Sequence, residues 1–486
     1  MASTKLLLLS FTIICLAQFI KTDYIAAVVE YQPINGTAPN ETVESNIAQY
    51  VYNIEQARNS KVQIIVFPEY GLTGLVFNPT GYAIEIPNPG DNTTYEHYWL
   101  QKLANAAVAH SMYVVLNLLE QEKDNRNNTT YYNTNIVFDK YGKLVAKYRK
   151  INVYEEPAIT PGSYNQNQNT FVTDFGITFG TFTCYDITFF NPARSVLSKS
   201  VTDIVYPTAW HSFLPFHHSL SIQSGYALAN KVNLLAANLN NVEEGIGGSG
   251  IYGANGSIFS YYLSGSEGSK LQIATVKNVP THNNTAFNTF GFEVLDDNIP
   301  TLANFKAKRY FESDKYEFRR LNLSQHIVKD EVCHKYFCCV FTVNASSSNA
   351  SEVYQIMAFK GQIRAGEITD VKLCALLACE SEDINTCGER NAKSTAKFES
   401  ITVETSMPDG PEQYFLPISL NADLNPISNT VFNNTINGDT RTIKYHYSNL
   451  KQQNIIAFGI VGNSGVTLSF NFVLIAAILV LNYLYY

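Results

Sequence analysis

Charge is scarce in this chain. Only 16% of its 486 residues are Asp, Glu, Lys or Arg, the net charge is −8, and no long basic run occurs. A mildly acidic chain of this kind lacks the electrostatic footprint of a nucleic-acid binder, so no nucleic acid is expected and small molecules or proteins are the partners to look for. Metal-binding spacings are missing too. No two cysteines form a Cys-x2-Cys knuckle, and His211, His217 and His218 lack a His-Glu-x-x-His pattern, so they read as loop or pocket-rim residues and no metal or cofactor is expected. There is no internal repeat, and the one biased tract, Asn165 to Asn169, reads as a loop. The chain is 45% hydrophobic, which excludes disorder, and its length exceeds one ordinary core.

Both ends carry apolar runs. Lys5, the apolar stretch Leu6 to Ile14 and the small-residue pattern Cys15-Leu16-Ala17 read as a signal peptide over residues 1–22. Asn-x-Ser/Thr sequons agree with export; they stand at Asn35, Asn40, Asn92, Asn127, Asn128, Asn255, Asn283, Asn322, Asn344, Asn349 and Asn433. No charged residue follows Lys451, and Phe470 to Leu484 is almost wholly apolar. A stop-transfer helix needs about 20 apolar residues and usually a basic flank. The small residues Gly462-Asn463-Ser464-Gly465 followed by an apolar tail instead suggest a lipid-anchor signal over residues 456–486. The expected location is the extracellular face of the cell membrane, GPI-anchored, with a secreted form as the alternative.

Between the ends the texture changes once. From residue 23 to 300, buried β-branched runs (Tyr24 to Val29, Val62 to Phe67, Met112 to Leu116, Asp203 to Tyr206) alternate with one-faced helical stretches (Val43 to Asn59, Trp99 to Ser111), the pattern of an α/β domain. Residues 301–455 instead mix strand-like runs with Cys333, Cys338, Cys339, Cys374, Cys379 and Cys387, which predicts a smaller, disulfide-stapled β-rich domain. Six cysteines allow 15 connectivities, and spacing does not choose among them.

Cys184 stands apart from that cluster, after the apolar run Phe175 to Phe182. The end of a buried strand is where α/β sheets present their sites, although a lone cysteine is as often an inert core residue. Two further segments favour chemistry. Glu69, in Phe67-Pro68-Glu69-Tyr70-Gly71, ends another buried strand, where a partly desolvated carboxylate suits general-base work. Lys150 lies in the basic tract Lys147-Tyr148-Arg149-Lys150. A Glu, a Lys and a Cys in this chain order resemble the nitrilase superfamily. The stretches Thr183-Cys184-Tyr185-Asp186, Tyr206-Pro207-Thr208-Ala209-Trp210 and Gly248-Ser249-Gly250-Ile251-Tyr252, with the cysteine-rich second domain, are similar to its vanin and biotinidase branch.

The resemblance implies a four-layer αββα sandwich and amide hydrolysis through a thioester. Cys184 would be the nucleophile and Glu69 the general base. Lys150 would stabilise the thiolate and oxyanion together with the backbone N–H of Tyr185. Glu156 or Glu155 would fill the place of an accessory acid. Trp210 is expected either in the substrate pocket or in the core. The implied substrate is a small amide, pantetheine first and biotinyl amides second; a catalytically silent, glycosylated adhesion protein is the reading from another class. Oligomeric state is not legible.

Overall fold

The computed structural model describes residues 23–91, 95–164, 168–279, 302–347, 353–363, 368–390, 396–448 and 454–464. The expected signal peptide, the apolar tail after Ser464 and the sequons at Asn92, Asn283 and Asn349 lie outside these residues.

The first unit is built on two six-stranded sheets. In one, β13 (Lys270–Val276) flanks β1 (Tyr24–Glu30), followed by β2 (Ile64–Val66), β3 (Tyr113–Lys123), β4 (Thr129–Phe138) and β5 (Leu144–Arg149). In the other the order is β12 (Ile258–Tyr262), β11 (Ser249–Tyr252), β10 (Asn233–Asn238), β8 (Asp203–Thr208), β7 (Thr178–Thr181) and β6 (Thr170–Val172). The strands at the centre of each sheet are parallel.

Burial on both faces explains why these strands read as continuous apolar runs rather than alternating ones. Ala26, Val28, Ile64 and Val66 face Phe179, Val205, Leu235 and Ile251 between the sheets. Ala27, Val29, Ile65 and Val114 face outward, beneath α1 (Pro39–Asn59) and α2 (Tyr98–His110), which contribute Ile47, Tyr50, Trp99 and Leu103. Across the molecule, α3 (Ser219–Asn230) lays Ile222, Tyr226 and Ala227 on Ile204, Leu234 and Ala236. The layers therefore run αββα, as expected.

The second unit is a sandwich of two five-stranded antiparallel sheets. One holds, in order, β15 (Glu317–Arg320), β18 (Val353–Ile363), β19 (Ile368–Cys379), β24 (Ile455–Ser464) and β21 (Gln413–Asn421). The other holds β16 (Ile327–His334), β17 (Phe337–Ser347), β20 (Lys397–Pro408), β23 (Thr440–Ser448) and β22 (Thr430–Asn437). Disulfides join Cys333 to Cys338, Cys339 to Cys374 and Cys379 to Cys387; the second crosses between the sheets.

The boundary expected after residue 455 is displaced. Ile455 to Ser464 form β24, between β19 and β21, because Ile455, Phe458 and Ile460 fill the core of the sandwich. Gly462 and Asn463, read from the sequence as anchor-site residues, are strand residues, and Asn463 Nδ2 donates to Thr188 O at 2.9 Å. The two units share a third apolar cluster. Met357, Phe359, Leu373 and Leu377 of the second pack against Leu214, Phe216, Leu220 and Phe305. Between them, the two-residue strand β14 (Lys308–Arg309) pairs with β9 (Phe213–Leu214). Of the described sequons, Asn35, Asn40, Asn127, Asn128, Asn322 and Asn433 are exposed, whereas Asn255 and Asn344 are half-buried.

Glu30, at the end of β1, is fully buried and ties the two sheets of the first unit together. It accepts hydrogen bonds from Asn240 Nδ2 (2.9 Å), Gly248 N (2.8 Å) and Ser249 Oγ (3.1 Å). Burial pushes its carboxyl up from 4.5 to about 7 against the pull of these donors. A raised folded-state value means that its stabilising contribution is complete below pH 4.5 and is lost as the pH rises through about 7. The swing is roughly 3 kcal/mol for such a displacement. Urea midpoints measured from pH 4.5 to 7.5 should therefore fall less steeply in Glu30→Gln than in the unsubstituted protein; identical slopes would exclude this role.

Candidate active site

Three strand ends deliver Glu69, Lys150 and Cys184 to one place. β2 ends at Val66, and Glu69 follows just before a tight turn in which Tyr70 takes φ +57° and its amide donates to Asn117 Oδ1 at 3.0 Å. Lys150 is the first residue beyond β5; its amide donates to Asn133 O (2.8 Å) and its carbonyl accepts from Gly162 N (2.7 Å). Gly162 has to be glycine, since a Cβ there would lie 2.3 Å from Arg149 O. Cys184 opens a short 3-10 turn after β7 with φ +46°, an uncommon conformation for a residue with a Cβ. Tyr206 holds that turn by donating its hydroxyl to Cys184 O at 2.7 Å.

At the centre, the Lys150 ammonium, 2% exposed, bonds Glu69 Oε1 (2.8 Å) and Glu156 Oε2 (2.6 Å). Asn133 Nδ2 donates to both acids, to Glu69 Oε1 and Glu156 Oε1, at 2.8 Å each. Ala209 N donates to Glu69 Oε2 at 2.8 Å, and Tyr70 Oη and Tyr154 N donate to Glu156. Each acid is therefore aimed by its donors and has few free lone pairs.

The charges follow from this packing. Burial alone would deprotonate Lys150, but Glu156 and Glu69 outweigh it and hold the ammonium well above its usual range. Burial likewise works against the Glu156 carboxylate, and Lys150 overcomes it, so Glu156 is ionised. Burial pushes the Cys184 thiol up, and the negative charge of Glu69 pushes it further; Lys150, the Thr208 hydroxyl and the Ala209 amide pull the other way without prevailing. At rest the sulfur is a thiol beside a carboxylate that can receive its proton.

Cys184 lines a cavity of about 380 Å³, with Tyr154, Tyr185, Trp210, Lys308 and Ile363 among its walls. Trp210 serves as both pocket and core. It is 6% exposed, its Nε1 donates to His217 O at 2.8 Å, and its ring forms part of the cavity wall. Of the two candidate accessory acids, Glu156 meets Lys150 while Glu155 lies on the cavity wall. His211 and His217 line the cavity as expected. His218 does not: it is fully buried at the start of α3, and burial pushes it down to about 3, so it is uncharged. Asn133 was not legible in the sequence. Its one signal was the pair Asn133 and Asn135, spaced two apart so that both side chains point to one face of β4, where Asn117 bonds each. The cavity residues from beyond the first unit, Lys308, Tyr310 and Ile363, carried no signal at all.

Comparison with known proteins covers nearly the whole chain. Residues 25–279 match the carbon-nitrogen hydrolase family and residues 305–465 match the Vanin C-terminal domain. Vanin-like protein 2 of Drosophila melanogaster is 30% identical, covering 92% of this chain and 90% of its own length. Pantetheine hydrolase VNN2 of Homo sapiens is 30% identical over 81% of each chain, and human pantetheinase is 29% identical over 78% of this chain and 79% of its own. Among solved structures, Nit3 of Saccharomyces cerevisiae, a member of branch 10 of the nitrilase superfamily, is 22% identical with a TM-score of 0.43, covering 53% of this chain and 92% of its own. The chain belongs to the vanin branch of the nitrilase superfamily, and is a hydrolase of non-peptide carbon–nitrogen bonds in linear amides.

Proposed function

We propose that this enzyme hydrolyses pantetheine to pantothenate and cysteamine through an acyl-enzyme on Cys184. The observation that carries the reading is the buried Lys150 ammonium, clamped between Glu69 and Glu156 beside a thiol that opens onto a cavity. Relatives named pantetheinase and pantetheine hydrolase, matching over about four-fifths of the chain, support the choice of substrate.

In this reading Glu69 removes the Cys184 proton as sulfur attacks the amide carbon. Lys150 and the Tyr185 amide stabilise the oxyanion, and such a donor is worth about 3 kcal/mol of barrier. Glu69 then passes its proton to the departing amine, leaving a thioester. Water enters, Glu69 takes one of its protons, and hydroxide addition expels the sulfur, which recovers that proton. Glu156 keeps Lys150 charged throughout. The three disulfides favour an oxidising, extracytoplasmic location, and membrane attachment through the tail belongs to the same proposal.

Three measurements bear on this. Purified protein should release cysteamine from pantetheine faster than lysine from biotinyl-lysine, and Cys184→Ala should lose at least 10³-fold of the faster activity; the reverse preference would favour a biotinidase-like enzyme, and equal release by variant and parent would leave the adhesion reading. Glu69→Gln removes a negative charge that pushes the thiol up, so the pH profile of Cys184 alkylation should move to lower pH. An unmoved profile would separate Glu69 from the sulfur. Phosphatidylinositol-specific phospholipase should release the protein from cells, and retention would argue against the lipid anchor.

A further inference from the structure

Asp186, two residues beyond the nucleophile, is fully buried and forms no ion pair among the described residues. Four donors converge on it. Oδ2 accepts from Tyr148 Oη at 2.6 Å and Thr183 N at 3.1 Å; Oδ1 accepts from Asn152 N and Asn152 Nδ2, each at 2.8 Å. Tyr148 and Asn152 stand two residues before and after Lys150, and Thr183 immediately precedes Cys184. One carboxylate thus ties the backbone entering the nucleophile's left-handed turn to both flanks of the lysine.

The residue type is informative. An ionised carboxylate is acceptor-only and can satisfy four donors, whereas an amide of the same shape would turn an NH2 group against some of them. Burying a carboxylate without a cation is unfavourable, and here burial pushes Asp186 up to about 6, against the pull of Tyr148, the Asn152 amide and the field of Lys150. Its four hydrogen bonds are all donated to it, the set that an ionised carboxylate satisfies. A fold that only needed the turn closed had less demanding side chains available.

We propose that Asp186 is a positioning residue for acylation: it holds the Cys184 turn and the Lys150 strand end to a single anion, so that sulfur and ammonium meet the same carbonyl. The proposal rests on the reading that Cys184 and Lys150 carry out amide hydrolysis. It assigns Asp186 no proton transfer. Acylation needs the thiol aligned with the oxyanion site, a geometry in which small displacements are expensive in rate. Deacylation forms an oxyanion at the same site, but sulfur is by then bonded to the carbonyl carbon and held there by that bond, so the step that must bring a free thiol to the carbonyl should respond more.

A pantothenoyl arylamide separates those steps, because release of the arylamine reports acylation as a burst and the steady state then reports deacylation. Misfolded protein is removed by size-exclusion chromatography, and sites are then counted in the folded fraction by stoichiometric alkylation of Cys184. In the full chain, Asp186→Asn should acylate 10- to 100-fold more slowly per counted site, with substrate affinity in the single-turnover series and deacylation each changed less than threefold. Tyr148→Phe, which removes one donor and leaves the anion, should slow the same step by a smaller factor, and the double variant should be no slower than Asp186→Asn. Acylation at the parental rate in Asp186→Asn, or an equal loss in both steps, would overturn the proposal. Should Asp186→Asn fail to fold, Tyr148→Phe decides, and a parental acylation rate in that variant would likewise overturn it. Full activity in Cys184→Ala would instead sink the underlying reading of the site.

Discussion

The buried ammonium of Lys150 is the interaction on which the rest of the site depends. Two carboxylates this close would repel one another and drive one to take up a proton. With Lys150 between them, Glu156 stays ionised and Glu69 keeps Oε1 on the ammonium and Oε2 on the Ala209 amide. The ammonium survives burial only because two acids hold it, so each charge requires the others. A compact set of this kind gives the enzyme a fixed positive charge beside a neutral thiol. In the proposed mechanism that charge meets the negative charge on sulfur and then on the carbonyl oxygen without rearrangement.

That constraint reaches outward through hydrogen bonds. Asn133 reads both acids with one amide and is itself held by Asn117, which also bonds Asn135 and receives the Tyr70 amide. Asn135 continues to Thr181 Oγ1 and Phe182 O, on the strand that leads to Cys184. A polar ladder therefore runs from Glu69 to the strand end that carries Cys184, through the middle of an otherwise apolar sandwich. Its members are satisfied by one another, which is what makes a buried polar network tolerable.

The second unit bears on the same place from outside. Its Ile363 joins Lys308 and Tyr310 of the connecting segment in the cavity wall, and Arg309 anchors that segment to Cys387 O at 3.0 Å and Asn385 O at 2.7 Å. The Cys379–Cys387 disulfide closes the loop that offers those carbonyls. The stapled domain thus supports a wall of the cavity as well as its own fold.

The amino-acid order determined what is local. Runs such as Tyr24 to Val29 announced buried strands because both sheet faces are covered, and the segregation of the six clustered cysteines from Cys184 marked two kinds of thiol chemistry, one for pairing and one left free. Glu69 and Cys184 stood out because each follows an apolar run, whereas Lys150, in the basic tract Lys147 to Lys150, stood out only through the resemblance of the three together to the nitrilase superfamily. Asn133, Asp186, Ile363 and the course of β24 did not. Their importance lies in partners far away along the chain, such as Glu69 for Asn133 (2.8 Å) and Tyr148 for Asp186 (2.6 Å). Local sequence sets which residues are buried and where a strand stops. Which buried donor meets which acceptor is decided only when the sheets stack, because hydrogen bonds require contact within about 3 Å and sequence distance does not encode it.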